Sequence, residues 1–317
     1  MKNNENKFMP YTTIDTYKTF FNFFILLLLF NVFLYILQGV SGYTFTELSE
    51  FKWYEIITML LSPLIFCILF FWQSRNHKGY ICQNLGLRKK FNFKHLALAI
   101  GTSIFSLIFF SQIVTLFDNA LSLIGFNPTD TIEMNSIGDL LLNVVLLAML
   151  PAIFEELVFR GIIFNGLKDK HSAYNAILIS ALFFTLMHGS LQQTFYQFIL
   201  GIILALLMYI TENIIYPIIT HFTSNFIILI LAYITQPIIE TEILFTFWNI
   251  FIPILLALIG LILTIIIFKI LNKDRPKWEN NLKFKYYTLE EKKYAVGSVL
   301  IAVLLWFFNT VTIFLQG

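Results

Sequence analysis

The stretch Pro151-Ala-Ile-Phe-Glu155-Glu156-Leu-Val-Phe-Arg160-Gly161 sets two carboxylates and a guanidinium inside an otherwise apolar run. An ionisable side chain at mid-bilayer costs roughly 2.5–3.5 kcal/mol on insertion scales, so such a load needs internal compensation. Glu156 and Arg160 stand four residues apart and share one helix face, with the acid N-terminal to the base. An arginine fork can hold a carboxylate in two parallel hydrogen bonds. Glu155 points about 100° away from its neighbour and has no partner on its own helix. Two further apolar runs carry Phe184-Thr-Leu-Met-His188 and His221-Phe-Thr-Ser-Asn225. Phe184 can pack beside the His188 imidazole one turn on, and His221 and Asn225 present two hydrogen-bonding groups on one face. Taken singly, each has an ordinary structural reading: a satisfied bundle histidine, a helix-surface ion pair, an amide gluing two helices. An unpaired buried acid has no such cheap purpose. Glu155, His188, His221 and Asn225 together point to function.

The elements that must position these groups are membrane helices. Of 317 residues 58% are apolar and only 13% charged, about half the charge of an ordinary soluble domain. The apolar residues come in runs of about 20, the length that crosses a hydrocarbon core as helix. Nine spans follow, at roughly 19–40, 56–73, 96–117, 140–166, 173–190, 192–210, 214–235, 244–268 and 295–316. The fifth and sixth are joined by so little chain that one or both should be short, tilted or re-entrant. The first is too long for a signal peptide and lacks a small-x-small cleavage site, so it reads as an anchor. The fold class is all-α, a polytopic transmembrane bundle. Net charge is +2, and with no basic low-complexity stretch nucleic acid is not an expected partner. Cys67 lies in an apolar run and Cys82 in a basic loop, so no disulfide is expected.

Lysine and arginine set the orientation. Nineteen of the 21 basic residues fall in the N-terminal segment, the loop Arg75–Lys94, Lys168 with Lys170, and the segment Lys269–Lys293. The loops between carry Glu47, Glu50, Asp118, Asp130, Glu133, Glu240 and Glu242. The N-terminus is therefore expected in the cytoplasm and the C-terminus outside. The abundance of Ile, Phe, Lys and Asn suits an AT-rich bacterial genome, and the expected location is a bacterial inner membrane. Counted from the cytoplasmic ends at about 1.5 Å per residue, Glu155, His221 and Asn225 come out roughly 10–17 Å deep and His188 near 22 Å. One cavity open to the cytoplasm is expected to gather them.

Glu155-Glu156-x-x-x-Arg160, Phe184-x-x-x-His188 and His221-x-x-x-Asn225, in that order on separate spans, resemble the CAAX-protease and bacteriocin-processing (CPBP, or Abi) family, which includes the type II CAAX prenyl endopeptidases. Leu85-Gly-Leu-Arg88 and Tyr216-Pro-Ile-Ile-Thr-His221 fit the same pattern. The resemblance covers about 80–235. It divides the chain into a two-span extension at 1–79, the core at 80–235 and a second two-span extension with its basic loop at 236–317. It implies a CAAX-protease-like core and an intramembrane endopeptidase. Glu155 would be the base that activates water, assisted by His188; His221 and Asn225 would stabilise the oxyanion; Glu156, Arg160 and Phe184 would support the site. Burial among helices makes a carboxylate a stronger base, and donors aimed at a developing oxyanion contribute about 3–4 kcal/mol each.

Glu155, His188 and His221 are also a zinc-type donor set. The His-Glu-x-x-His helix of common zinc peptidases is missing, and an asparagine is a poor zinc ligand but a good oxyanion donor. A reaction without a metal cofactor is the favoured expectation, with zinc as the alternative. The partners expected are membrane lipids and a hydrophobic or lipidated peptide substrate. Two rival classes are a non-enzymatic bacteriocin-immunity or scaffold protein, and a proton-coupled transporter, which should show repeat symmetry that is not evident here.

Overall fold

The computed structural model describes residues 11–75, 77, 81–123, 134–235, 247–274 and 286–316. Lys2, Lys7, Lys78, Asp130, Glu133, Glu240, Glu242 and positions 275–285 of the basic segment lie outside the described residues. Nine long helices run through the described chain: α1 (Thr13–Ser41), α2 (Lys52–Ser74), α3 (Phe93–Ser122), α4 (Ile137–Leu167), α5 (Ala173–His188), α6 (Leu191–Thr211), α7 (Ile215–Thr235), α8 (Phe247–Leu271) and α9 (Leu289–Gln316). The protein is an all-α helical bundle, and eight of these helices are long and apolar enough to cross a membrane. The ninth, α5, has 16 residues. At about 1.5 Å per residue it spans roughly 24 Å, short of the ~30 Å hydrocarbon thickness.

Local signals account for the ends. Ser136, Ser172 and Ser190 cap α4, α5 and α6, each hydroxyl accepting the N–H of the residue three on. α5 stops at Gly189, which takes the left-handed conformation (φ 60°) that glycine adopts at least cost.

α4 is not regular. Two π-helical stretches, Val144–Met149 and Leu157–Phe164, flank an α-helical segment, Leu150–Glu156, that carries both glutamates. Pro151 supplies a cause for the first: it has no N–H to give the Leu147 carbonyl four residues back, and its ring crowds that turn. Asn165 Nδ2 donates to the carbonyls of Arg160 and Gly161, both at 3.0 Å, at the end of the second.

The core is aromatic. Phe20 of α1 stacks on Phe183 of α5 at 4.0 Å between centroids, and Phe23 stacks on Phe66 of α2 at 4.9 Å. α5 and α6 approach closely because position 201 is glycine; a Cβ there would sit 3.0 Å from the Ala181 backbone. Polar contacts register α7 on α3, with Ser224 and Ser103 hydroxyls 2.8 Å apart and Thr220 donating to the Ala99 carbonyl at 3.1 Å.

The basic loops meet at one end of the bundle. There Ile214 N donates to the Leu85 carbonyl, Lys170 binds Glu291 at 2.6 Å, Lys18 binds Glu290 at 2.7 Å and Lys89 pairs with Glu212. The other end carries Lys52 paired with Asp139 at 3.2 Å.

Candidate active site

Glu156 is the electrostatic centre of the buried polar cluster. It is fully enclosed, and its Oε1 accepts hydrogen bonds from Arg160 Nη1 at 2.7 Å and from His221 Nδ1 at 3.0 Å. Arg160, also fully enclosed, donates its Nη2 to the Gly201 carbonyl at 3.0 Å and lies over the Phe184 ring at 4.7 Å from the centroid. The pairing expected from the i,i+4 spacing is present, as one strong bond rather than two parallel ones. The second oxygen of Glu156 has no partner among the described residues.

Glu155 is buried as well, and its Oε2 has no hydrogen-bond partner among the described residues. A carboxylate oxygen withdrawn from water and left unbonded is costly unless something occupies it in function. Glu155 lines a polar chamber of about 520 Å³ with His188, Asn31, Ser62, Gln193 and Asn309. His188 Nδ1 is 2.7 Å from the Phe184 carbonyl. A carbonyl only accepts, so Nδ1 carries the hydrogen and Nε2 remains an acceptor. Phe184 packs edge-on to His188 at 4.9 Å and to His221 at 5.8 Å, so one phenyl ring contacts both imidazoles.

His221 and Asn225 each have a hydrogen-bond partner of their own. Neither is among the residues lining the Glu155 chamber. His221 is buried and turned toward Glu156. Asn225 Nδ2 donates to the Leu147 carbonyl at 3.2 Å, the oxygen that Pro151 cannot serve. Among the described residues His221 Nε2 and the second amide hydrogen of Asn225 make no further hydrogen bond.

The chamber that Glu155 lines is separate from the cavity at the basic end. The cavity at the basic end, about 670 Å³ and lined by Tyr11, Asn165, Lys168 and Glu212 among others, does not include Glu155. On α4 the fully buried Phe159, Arg160, Ile163 and Phe164 lie between Glu155 and Asn165. Asn31, Ser62, Gln193 and Asn309 escaped the motif analysis, although polar residues inside apolar spans are the signal that finds them. Three of them come from α1, α2 and α9, helices outside the region of family resemblance.

The donor types of Glu155, His188 and His221 would suit zinc. Among the described residues, however, no three His, Cys, Asp or Glu side chains are gathered to hold a metal ion.

Residues 137–227, which contain all three motifs, match the family model for type II CAAX prenyl endopeptidase, Rce1-like proteins. No curated protein and no solved structure matches the chain. Helical architecture, motif placement and that match agree over this region: residues 137–227 are similar to the Rce1-like type II CAAX prenyl endopeptidases.

Proposed function

We propose that the chain is a glutamate-dependent endopeptidase that hydrolyses a peptide bond in a hydrophobic, membrane-associated precursor. It sits in a bacterial inner membrane with its N-terminus in the cytoplasm and its C-terminus outside, in keeping with the charge bias. The core at 80–235 carries the chemistry, and the flanking helices enclose it. The observation that carries the reading is the buried, unbonded Oε2 of Glu155, a residue that lines a chamber together with His188, whose Nε2 is an acceptor.

In this reaction Glu155 takes a proton from a water molecule as the water oxygen attacks the carbonyl carbon. The carbonyl electron pair moves onto oxygen. His221 Nε2–H and the second N–H of Asn225 are the proposed donors to that oxyanion. As the tetrahedral intermediate collapses, the C–N bond breaks. The proton held by Glu155 passes to the departing amine, directly or through His188. Glu156 and Arg160 are positioning residues: Glu156 orients the His221 ring through Nδ1, and Arg160 balances Glu156. The chain's own groups move every proton.

Peptidomics of cells expressing wild type or Glu155→Gln tests this reading. A peptide that accumulates uncut in the variant, at equal protein level, is the expected result. Processing that continues unchanged in Glu155→Gln overturns it and favours a scaffold role for the polar cluster.

A further inference from the structure

We propose, building on the peptidase reading, that the peptide bond reaches Glu155 from the end of the bundle opposite the basic loops. The substrate is then a peptide segment presented at the outer face of the membrane.

Three observations lead there. First, the chamber's polar rim is far from the basic end. Asn31, Gln193 and Asn309 line it, and all three are exposed. They lie roughly 27–30 Å along α1, α6 and α9 from the basic-loop ends of those helices, at about 1.5 Å per residue. Second, α5 ends at His188 and α6 begins at Leu191, so the turn between them stops short of the ends of α1 and α9, and His188 and Gly189 line the chamber there. Asn309 Nδ2 donates to the Gly189 carbonyl at 3.2 Å, holding α9 against that turn. Third, the helices are sealed on the basic side. Between the residues facing the two cavities lie Phe20 on α1, Arg160 and Phe164 on α4, and Leu204 on α6, none more than 1% exposed. The charge bias puts the basic end in the cytoplasm, which makes the open end the outer one. An extended peptide needs partners for its backbone groups in such a place, and the amides of Asn31, Gln193 and Asn309 can both donate and accept.

Cysteine accessibility tests the direction without a known substrate. Cys82, exposed in the basic loop, is a built-in marker for that side, and Cys67 is replaced by Ser. Gln193→Cys and Glu155→Cys are placed singly in this background, full length and in native membranes. A small membrane-impermeant thiol reagent is applied to intact cells and to inside-out vesicles. Both new cysteines should be labelled from the side on which Cys82 is protected. Labelling of Glu155→Cys only from the Cys82 side, or from neither side while Gln193→Cys is labelled, overturns the proposal. Labelling does not depend on turnover, so a wrong-side result leaves the peptidase reading standing, whereas unchanged processing in Glu155→Gln removes that reading and leaves the access route intact.

Discussion

His221 donates its Nδ1 hydrogen to Glu156 Oε1 at 3.0 Å, on the same oxygen that receives Arg160 Nη1 at 2.7 Å. The two adjacent glutamates thereby acquire different tasks. Glu156 joins α4 to α7 and offsets a guanidinium with no exposed surface, while Glu155 is committed to nothing on Oε2.

That division predicts opposite behaviour for two isosteric changes. Glu156→Gln leaves Arg160 buried without its counter-charge, and breaking a buried pair in this way costs about 3–5 kcal/mol. Glu155→Gln removes no bonded Oε2 contact and should leave stability within about 1 kcal/mol while abolishing processing. Thermal unfolding in detergent, read beside processing in cells, separates the two. Equal destabilisation by both variants contradicts the assignment.

Asn225 has a structural task that must be separated from its proposed catalytic one. Asn225→Ala strands the Leu147 carbonyl and should cost about 1–3 kcal/mol of stability. If the remaining amide hydrogen also meets the oxyanion, processing falls by roughly 10²–10³-fold even after stability is restored by lower temperature. A rate that recovers fully with the fold shows that Asn225 serves only Leu147.

The helices were legible because the apolar runs are long and the charges fall between them. Even the short α5 follows from the small gap between residues 190 and 192. The Glu156–Arg160 contact was legible because i,i+4 geometry is local. His221 meeting Glu156 was not, since the contact depends on how α7 is registered against α4 through Ser224, Thr220 and their partners on α3. Pro151 hinted at an irregular α4, but nothing local says that Asn225 of another helix serves the freed carbonyl. Which helices enclose the chamber was not legible, because that depends on which buried aromatics stack between helices, a property of packing rather than of depth along any one helix.

Gly201 positions Arg160 from behind: its carbonyl accepts Arg160 Nη2, and its missing Cβ lets α6 lie against Ala181. Gly201→Val should force α5 and α6 apart at a cost of about 1–3 kcal/mol and displace His188 with α5. A lowered unfolding temperature together with reduced processing is expected, with Gly201→Ala falling between the variant and wild type.

Chelation tests the chemistry from another side. The proposed reaction moves protons through Glu155 and His188, so 1,10-phenanthroline should leave processing in purified, reconstituted protein unchanged. Loss of processing, restored by added zinc, assigns Glu155, His188 and His221 to a metal instead.

Lys168, just beyond the basic end of α4, supplies a pH signature separate from catalysis. Burial outweighs the attraction of Glu212 and, with the nearby charge of Lys89 acting in the same sense, holds its ammonium at a pKa of about 8. The unfolded chain returns it to the ordinary lysine range near 10.4. Between those values the unfolded state binds more protons than the folded one, so stability rises with pH across that window. Below about pH 8 the group is charged in both states and the penalty is present in full. Lys168→Met removes the penalty. Unfolding temperatures of wild type and variant should therefore converge as pH is raised from 7.5 to about 10, with the variant ahead at the lower pH. A constant gap across that range places Lys168 in water and removes burial as the cause.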